Sequence, residues 1–363
     1  MTETFSDDET GARAWVDIDL DALVANARRV RSTAGAPLLP MVKANGYGLG
    51  AVRVARALEP LEPWGFGVAT VEEGAELRAA GVTRPVVVFT PLVAGDVSRY
   101  LRHALRPAIG DLPALRAWTA GAPGQPFHLE IDTGMARAGI RHDDGEALAA
   151  ARSALQAAGG AWEGVFSHFH SADVDAHATE AQWLCLQRAI AVLGHRPPFV
   201  HAANSAAAML GTSYAADLVR PGIFLYGGSA GAAVPAPVAA VRARVVAVRR
   251  VGAGATASYA ATWTAPAPVA LATVAIGYAD GVLRSLGNRG SLELGGVRAP
   301  IRGRVTMDMT IVEAPASVAV GDVATLFGGA IPLDEQAGAA GTIGYELLTA
   351  IGPRVRRRYR GGR

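Results

Sequence analysis

GFGVATVEEGAELRAAGVTRPVVVFT (residues 65–90) carries a β-type apolar run at 65–69, a helix-compatible segment at 71–80 and a second β-type run at 85–90. Two short apolar runs separated by a helix predict a right-handed βαβ unit with parallel strands. The unit repeats in both directions. Further β-type runs occupy 39–43, 105–109, 127–132, 164–167, 199–202 and 219–226, with helix-like stretches such as 179–193 between them. Eight such runs in succession are the number that closes a (β/α)8 barrel, and a span of 14–235 fits the usual size of one. An open doubly wound sheet suits six or seven strands better. The expected fold class is α/β: an N-terminal TIM-type barrel followed by a mostly β C-terminal domain.

The change of domain is placed near residue 230. AGAAVPAPVAA (230–240) is small and Pro-bearing, like a crossover. Beyond it, VRARVVAVRRV, PVALATVAIGY and VGDVATLFG are Val- and Thr-rich runs broken by Gly and Pro, the pattern of short strands. We therefore expect a tail over 1–13, a barrel over 14–235 and a β domain over 236–363. The segment AWVDIDL (14–20) alternates like a strand and is expected to pair with the C-terminal domain. RVRRRYRGGR (354–363) reads as a basic, solvated tail.

Half of the 363 residues are hydrophobic and 18% are charged, against about 25% charged in an average soluble protein. That composition fills a large core and excludes disorder as the dominant state. A formal net charge of +2, with no basic stripe before the C-terminus, argues against a nucleic-acid partner. No apolar stretch reaches spanning length, and Met1 to Thr10 lack the apolar run of a secretory signal. The single cysteine, Cys185, forms no internal disulfide. A cytoplasmic protein without a membrane partner or a metal is expected.

Of the 34 basic residues one alone is lysine, Lys43. Arginine replaces lysine freely as a surface charge, but not where chemistry needs a primary amine that can lose its proton. Lys43 closes the apolar run 39–43 and precedes a Gly-rich turn, in PMVKANGYGLG. Function in a parallel barrel sits at the C-terminal ends of the strands, and a desolvated lysine there has a lowered pKa. A lysine merely snorkelling at the rim is the alternative; its solitude favours catalysis.

The stretch MVKANGYGLG resembles the pyridoxal-phosphate motif of the alanine racemases. Matches to HLEIDTGMARAG, FSHF, HAANSAAA, VRPGIFLYG, SYAATW, IGYADG, RVTMD and TIGYELL follow in the same order, from about residue 15 to residue 358. The resemblance implies a barrel followed by a β domain, and a head-to-tail homodimer whose β domain completes the active site of the partner. It implies that Lys43 carries pyridoxal 5'-phosphate covalently and acts as one of two proton-transfer groups. Tyr259, from the other subunit, is the implied second group on the opposite face; a lone strand tyrosine would otherwise be the plainer reading. Neutral tyrosine is a weak base, with a reference pKa of about 10, and His168 with Arg220 forms the implied supporting network. Arg220 is also implied at the pyridine nitrogen, where a cation weakens the cofactor as an electron sink and suits racemisation over transamination. Ser205, Gly222 and Ile223, with Asn204 and Tyr47, are implied at the phosphate. Arg137 is implied at the substrate carboxylate and the phenolic oxygen of the cofactor, Met307 as a backbone donor from the partner, Asp308 as support for its turn, and Tyr278 at the substrate entrance.

The chain departs from the family at several positions. Glu130 stands where a carbamylated lysine is common, and is expected to pair with Arg137 as a ready-made carboxylate. Pro353 is aligned with a tyrosine that touches the phosphate. Leu49 replaces a histidine, and His170 replaces a small residue. The expected activity is racemisation of L- and D-alanine for cell-wall peptidoglycan. A racemase of serine or of broader specificity, a barrel-fold decarboxylase and a non-catalytic cofactor-binding protein are the rivals.

Overall fold

A computed structural model of the protein describes residues 11–158 and 161–362. Residues 1–10 of the expected tail lie outside them. Small polar side chains fix where strands give way to helices. Asp19, Thr70, Asp111, Asp175 and Asn204 each precede a helix and accept a hydrogen bond from a backbone N–H of its first turn, satisfying donors that the helix leaves orphaned. The joints at Asp19, Thr70, Asp111 and Asn204 are short, whereas Asp175 ends the longer loop 167–175.

The strands Phe66–Val68, Val86–Val88, Arg106–Ile109, Phe127–Asp132, Trp162–Phe166 and Phe199–His201 pair in parallel in chain order. Residues 38–42 and 217–221 close the ring. Leu39 donates to the Val219 carbonyl at 2.8 Å, Met41 to Pro221 at 2.9 Å, Val42 to Gly67 at 2.8 Å and Asp217 to Val200 at 3.1 Å. Closure leaves no open strand edge, and the barrel interior is packed with buried apolar and aromatic side chains.

The run expected over 219–226 is shorter as a strand. After Pro221 and Gly222 the chain enters the 3₁₀ turn Ile223–Tyr226, whose side chains are all buried. A fully buried turn and a fully buried strand present the same apolar run, so periodicity does not separate them.

The C-terminal domain is built on one strand of 13 residues, Ala239–Val251. It pairs antiparallel with Ala14–Asp19, Val269–Val274 and Val323–Phe327. The basic C-terminus is not a solvated tail: Arg356–Arg360 is a strand paired in parallel with Ala14–Asp19. Arg358 and Arg360 meet Asp17 and Asp19, and Arg357 donates to the carbonyls of Gly48, Ile351 and Gly352. These three cations have local acceptors, which the bare charge run did not reveal. Tyr359 Oη donates to the Leu49 carbonyl at 2.8 Å and so ties this strand to the turn that follows Lys43.

Candidate active site

Val42 ends the first barrel strand, and Lys43–Tyr47 forms one turn in which Ala44, Asn45, Gly46 and Tyr47 all take left-handed φ. Three of these are not glycine, so the turn is strained and must be held from outside. The Ala44 N–H donates to Glu73 Oε1 at 2.6 Å, Gly46 N–H to the Val42 carbonyl at 2.8 Å, and Ala51 N–H to Asn45 Oδ1 at 3.0 Å. Gly48 completes the turn at φ 82°, where a Cβ would overlap the Leu348 carbonyl.

The turn aims Lys43 into a cavity of about 120 Å³ that it shares with Tyr47, Arg137, His168, Asn204, Ser205, Arg220 and Gly222. A wider adjoining cavity of about 690 Å³, lined by Lys43, Arg137, His168, Asn204 and Ile223, opens outward. Burial lowers the Lys43 pKa from its ordinary 10.5, and the charges of Arg137 and Arg220 push it the same way, against Glu73. A larger share of the amine is therefore neutral, the form a nucleophile or base requires.

One wall gathers hydroxyl and amide groups. Ser205 is 3% exposed; its Oγ accepts from the Gly222 N–H at 2.8 Å and the Phe224 N–H at 3.4 Å. Asn204 caps the turn that starts at Ser205 and also donates to the Phe169 carbonyl. Tyr47 stacks on Tyr226 with ring centroids 4.4 Å apart, and a Cβ at Gly222 would overlap its hydroxyl. Glycine therefore makes the space in which amides and two hydroxyls meet.

Arg220 crosses the floor. It donates to His201 Nδ1 at 2.7 Å, to the carbonyls of His201 and Ser167 at 2.6 and 2.7 Å, and to His168 Nδ1 at 3.2 Å. Burial pushes the Arg220 pKa down to about 9, against the pull of Glu130, so the group stays cationic at neutral pH. Burial and the cations Arg220, Arg137 and Lys43 push His168 down to about 3. It is a neutral imidazole that accepts at Nδ1 and keeps its proton on Nε2.

Glu130 and Arg137 share this region, but the expected pairing is not a contact. Among the described residues no ion pair joins them, and buried Glu130 Oε2 has no hydrogen-bond partner. The strand holds Glu130 inside, whereas Arg137 sits on an exposed loop pinned by Asp132 Oδ1, which accepts from Gly134 and Ala136 N–H. Burial raises the Glu130 pKa to about 7, with Arg137 and Arg220 opposing through their charge.

Tyr259, Tyr278 and Met307 do not line either cavity of their own chain. Tyr259 is 71% exposed on a turn flanked by left-handed Ser258, Ala260 and Ala261. Tyr278 and Met307 are also exposed and adjacent: Tyr278 N–H donates to the Thr306 carbonyl and Ala279 N–H to Met307, both at 3.0 Å. Asp308 ion-pairs with Arg354 at 2.9 Å, and Arg354 with buried Asp280 at 3.0 Å. The domain thus exposes Tyr259, Tyr278 and Met307.

Pro353 does not stand at the site. It is exposed and lines neither cavity, whereas Tyr345 lines both and lies 5.9 Å from Tyr47. Tyr345 lies in TIGYELL, on the helix Gly344–Thr349, eight positions before the proline. Leu49 is fully buried away from the cavities; His170 lies on the rim of the wider one. Sequence reading also passed over Glu73. Its signal was Thr70-x-x-Glu73, a capping box that the structure forms, although nothing in that pattern foretells its reach to Ala44.

Two family models cover most of the chain: alanine racemase, N-terminal domain, at residues 18–230, and alanine racemase, C-terminal domain, at residues 238–359. The chain is 39% identical to an alanine racemase of Dinoroseobacter shibae, over 97% of this chain and 99% of that protein. It is also 39% identical to a catabolic alanine racemase of Mesorhizobium japonicum, over 98% and 95%. Among solved structures, the alanine racemase from Streptomyces coelicolor A3(2) superposes with a TM-score of 0.91 at 34% identity, covering 97% of this chain and 99% of that one. The Bartonella henselae enzyme with covalently bound pyridoxal phosphate gives 0.89 at 30%, covering 96% and 100%.

Proposed function

The chain belongs to the alanine racemase family, and from that premise we propose that it interconverts L- and D-alanine on pyridoxal 5'-phosphate held by Lys43. One observation carries the reading: the only lysine of the sequence stands desolvated in a cavity whose opposite wall is an amide-and-hydroxyl anion cradle and whose floor is a buried arginine.

The residues fit that cofactor. Ser205, the amides at Gly222 and Ile223, and Tyr47 suit its phosphate; Arg220 suits an unprotonated ring nitrogen, and Lys43 its aldehyde. When bound, the cofactor supplies a conjugated ring that takes up the electron pair released at the α-carbon. The rest is done by the chain. Arg220 is a donor without acceptor capacity, so it holds the ring nitrogen unprotonated and limits how far charge is withdrawn, which favours return of a proton to the α-carbon. Arg137 offers a planar fork to the substrate carboxylate. The lowered pKa of Lys43 lets its amine remove or return the α-proton from one face.

The second proton-transfer group is Tyr259 of a second copy of the chain. Its exposure supports this, as does that of Tyr278 and Met307, which a partner would cover. In a homodimer the β domain over 236–363 would then complete the partner's site. Asp308, through Arg354, steadies the Met307 turn. The D-alanine so formed would serve cell-wall peptide in the cytoplasm; no helix among the described residues is long and apolar enough to cross a membrane.

The test is incubation of the cofactor-loaded protein with L-alanine in heavy water, with chirality and α-deuterium read by chiral chromatography and mass detection. Deuterated D-alanine in proportion to enzyme is expected. L-alanine recovered without deuterium, with serine turned over instead, would replace the substrate.

A further inference from the structure

Arg220 is a buried cation, 4% exposed, and its hydrogen-bond acceptors are carbonyls and imidazoles. A buried charge without compensation is costly. Glu130 acts on Arg220 through space without a hydrogen bond, and the hydrogen-bonded acceptors lead away from the site to a second carboxylate. Arg220 donates to His201 Nδ1 at 2.7 Å, and guanidinium has no lone pair to offer, so His201 accepts there and keeps its proton on Nε2. His201 Nε2 lies 2.7 Å from His128 Nδ1. His128 must accept there and carry its own proton on Nε2, which faces Glu163 Oε2 at 3.1 Å. Glu163 in turn takes two donors of Arg106, at 2.6 and 3.2 Å.

Every donor in this chain points the same way, from Arg220 to Glu163. A donor-only guanidinium at one end and an acceptor-only carboxylate at the other fix both tautomers. Burial pushes both imidazoles toward the neutral form, with Arg220 adding to the effect at His201. Aromatic walls keep the path dry: Phe166 stacks on His201 at 5.1 Å, Trp64 packs on His128 at 5.5 Å, and Arg106 lies over Trp64 at 5.6 Å. Hydrogen bonds in such surroundings polarise one another. Gly164 makes room, because a Cβ there would overlap the His128 ring.

The path spans the barrel. Arg106 opens the strand Arg106–Ile109 and Glu163 is the second residue of Trp162–Phe166, whereas Arg220 lies at the C-terminal end of the last barrel strand. We propose that Glu163, held by Arg106 at the foot of the barrel, is a positioning residue for Arg220 at its mouth, acting through His128 and His201. The orientation of the guanidinium toward the cofactor is then set from outside the active site; this step alone rests on the function proposed above.

The test compares wild type, Glu163→Gln and Glu163→Leu. Nitrogen-15 histidine spectra of the cofactor-free protein, assigned with His128→Gln and His201→Gln, should show both imidazoles protonated on Nε2 in wild type. In Glu163→Leu Arg220 still holds His201 as the Nε2 tautomer but His128 loses its acceptor, and the nitrogen shifts should move at His201 as well as at His128, although Glu163 touches only the latter. In the loaded enzyme the cofactor absorption band should shift and kcat should fall on the order of ten- to a hundredfold, the scale of a small misplacement, with KM little changed. Glu163→Gln retains an acceptor and should lie between the two; it also serves if the leucine variant does not fold. A variant that lowers the melting temperature yet leaves the His201 nitrogen shifts, the absorption band and kcat as in wild type would overturn the proposal and leave Glu163 a structural residue. A wild type with these tautomers but no racemisation would refute the activity and not the positioning path.

Discussion

Replacing Glu130 by glutamine should stabilise the protein progressively above about pH 5, with the full gain reached just above neutral pH. The side chain is 5% exposed, Oε2 has no partner, and burial raises the carboxyl from 4.5 to about 7. A carboxyl raised in the folded state binds more protons folded than unfolded between these values. Stability therefore falls as pH climbs from 4.5 to about 7, and the full cost is present above that window. At about 1.4 kcal/mol per pH unit, the rise corresponds to roughly 3 kcal/mol. Glu130→Gln keeps the shape and removes the charge, so it should gain up to about 3 kcal/mol at pH 8 and almost nothing at pH 5. Urea unfolding of both proteins at the two pH values, followed by circular dichroism, measures the difference of differences. An equal effect at both pH values, or a variant weaker at pH 8, would refute the reasoning, since either result means that the ionised carboxylate is well compensated. KM for alanine reads the functional side: it should rise if the charge steadies Arg137, and an unchanged KM removes that role.

Three further outcomes are expected. Mixing inactive Lys43→Ala and Tyr259→Phe proteins should restore roughly a quarter of wild-type activity, because half of the reassorted dimers are mixed and each holds one intact site; no recovery means the sites are not shared. Gly222→Ala should weaken cofactor retention about ten- to a hundredfold, the scale of one hydrogen bond to a charged group, measured by equilibrium dialysis, because its Cβ would occupy the space of the Tyr47 hydroxyl. His168, pushed down to about 3, takes up protons more readily unfolded, so its contribution holds above pH 6.5 and fades as pH falls toward 3. Melting curves should show a steeper acid decline in wild type than in His168→Gln, and parallel declines would exclude His168 as the cause.

Much of the fold was legible locally. The alternation from 65 to 90 becomes Phe66–Val68, Val71–Ala79 and Val86–Val88, because alternation of buried strands with capped helices is written in neighbouring residues. Where burial was continuous the reading overran, as at Ile223–Tyr226, and where charge was continuous it mistook a paired strand for a tail, as at Arg356–Arg360.

The site divides along the same line. Lys43 could be singled out because a lone lysine at a strand end is a property of the sequence itself, and the barrel's geometry gathers strand ends. Which strand-end residues meet depends instead on register and stagger around a closed ring, to which residues a hundred positions apart contribute. Hence Glu130 misses Arg137 while its neighbour His128 meets His201, Glu73 supports the lysine turn, and Tyr345 rather than Pro353 faces Tyr47. The sequence by itself determined the barrel, the β domain and the reactive amine, through patterns of adjacent residues. Only the tertiary structure decided the contacts among buried polar groups, since each is a distance of about 3 Å fixed by the packing of the whole barrel.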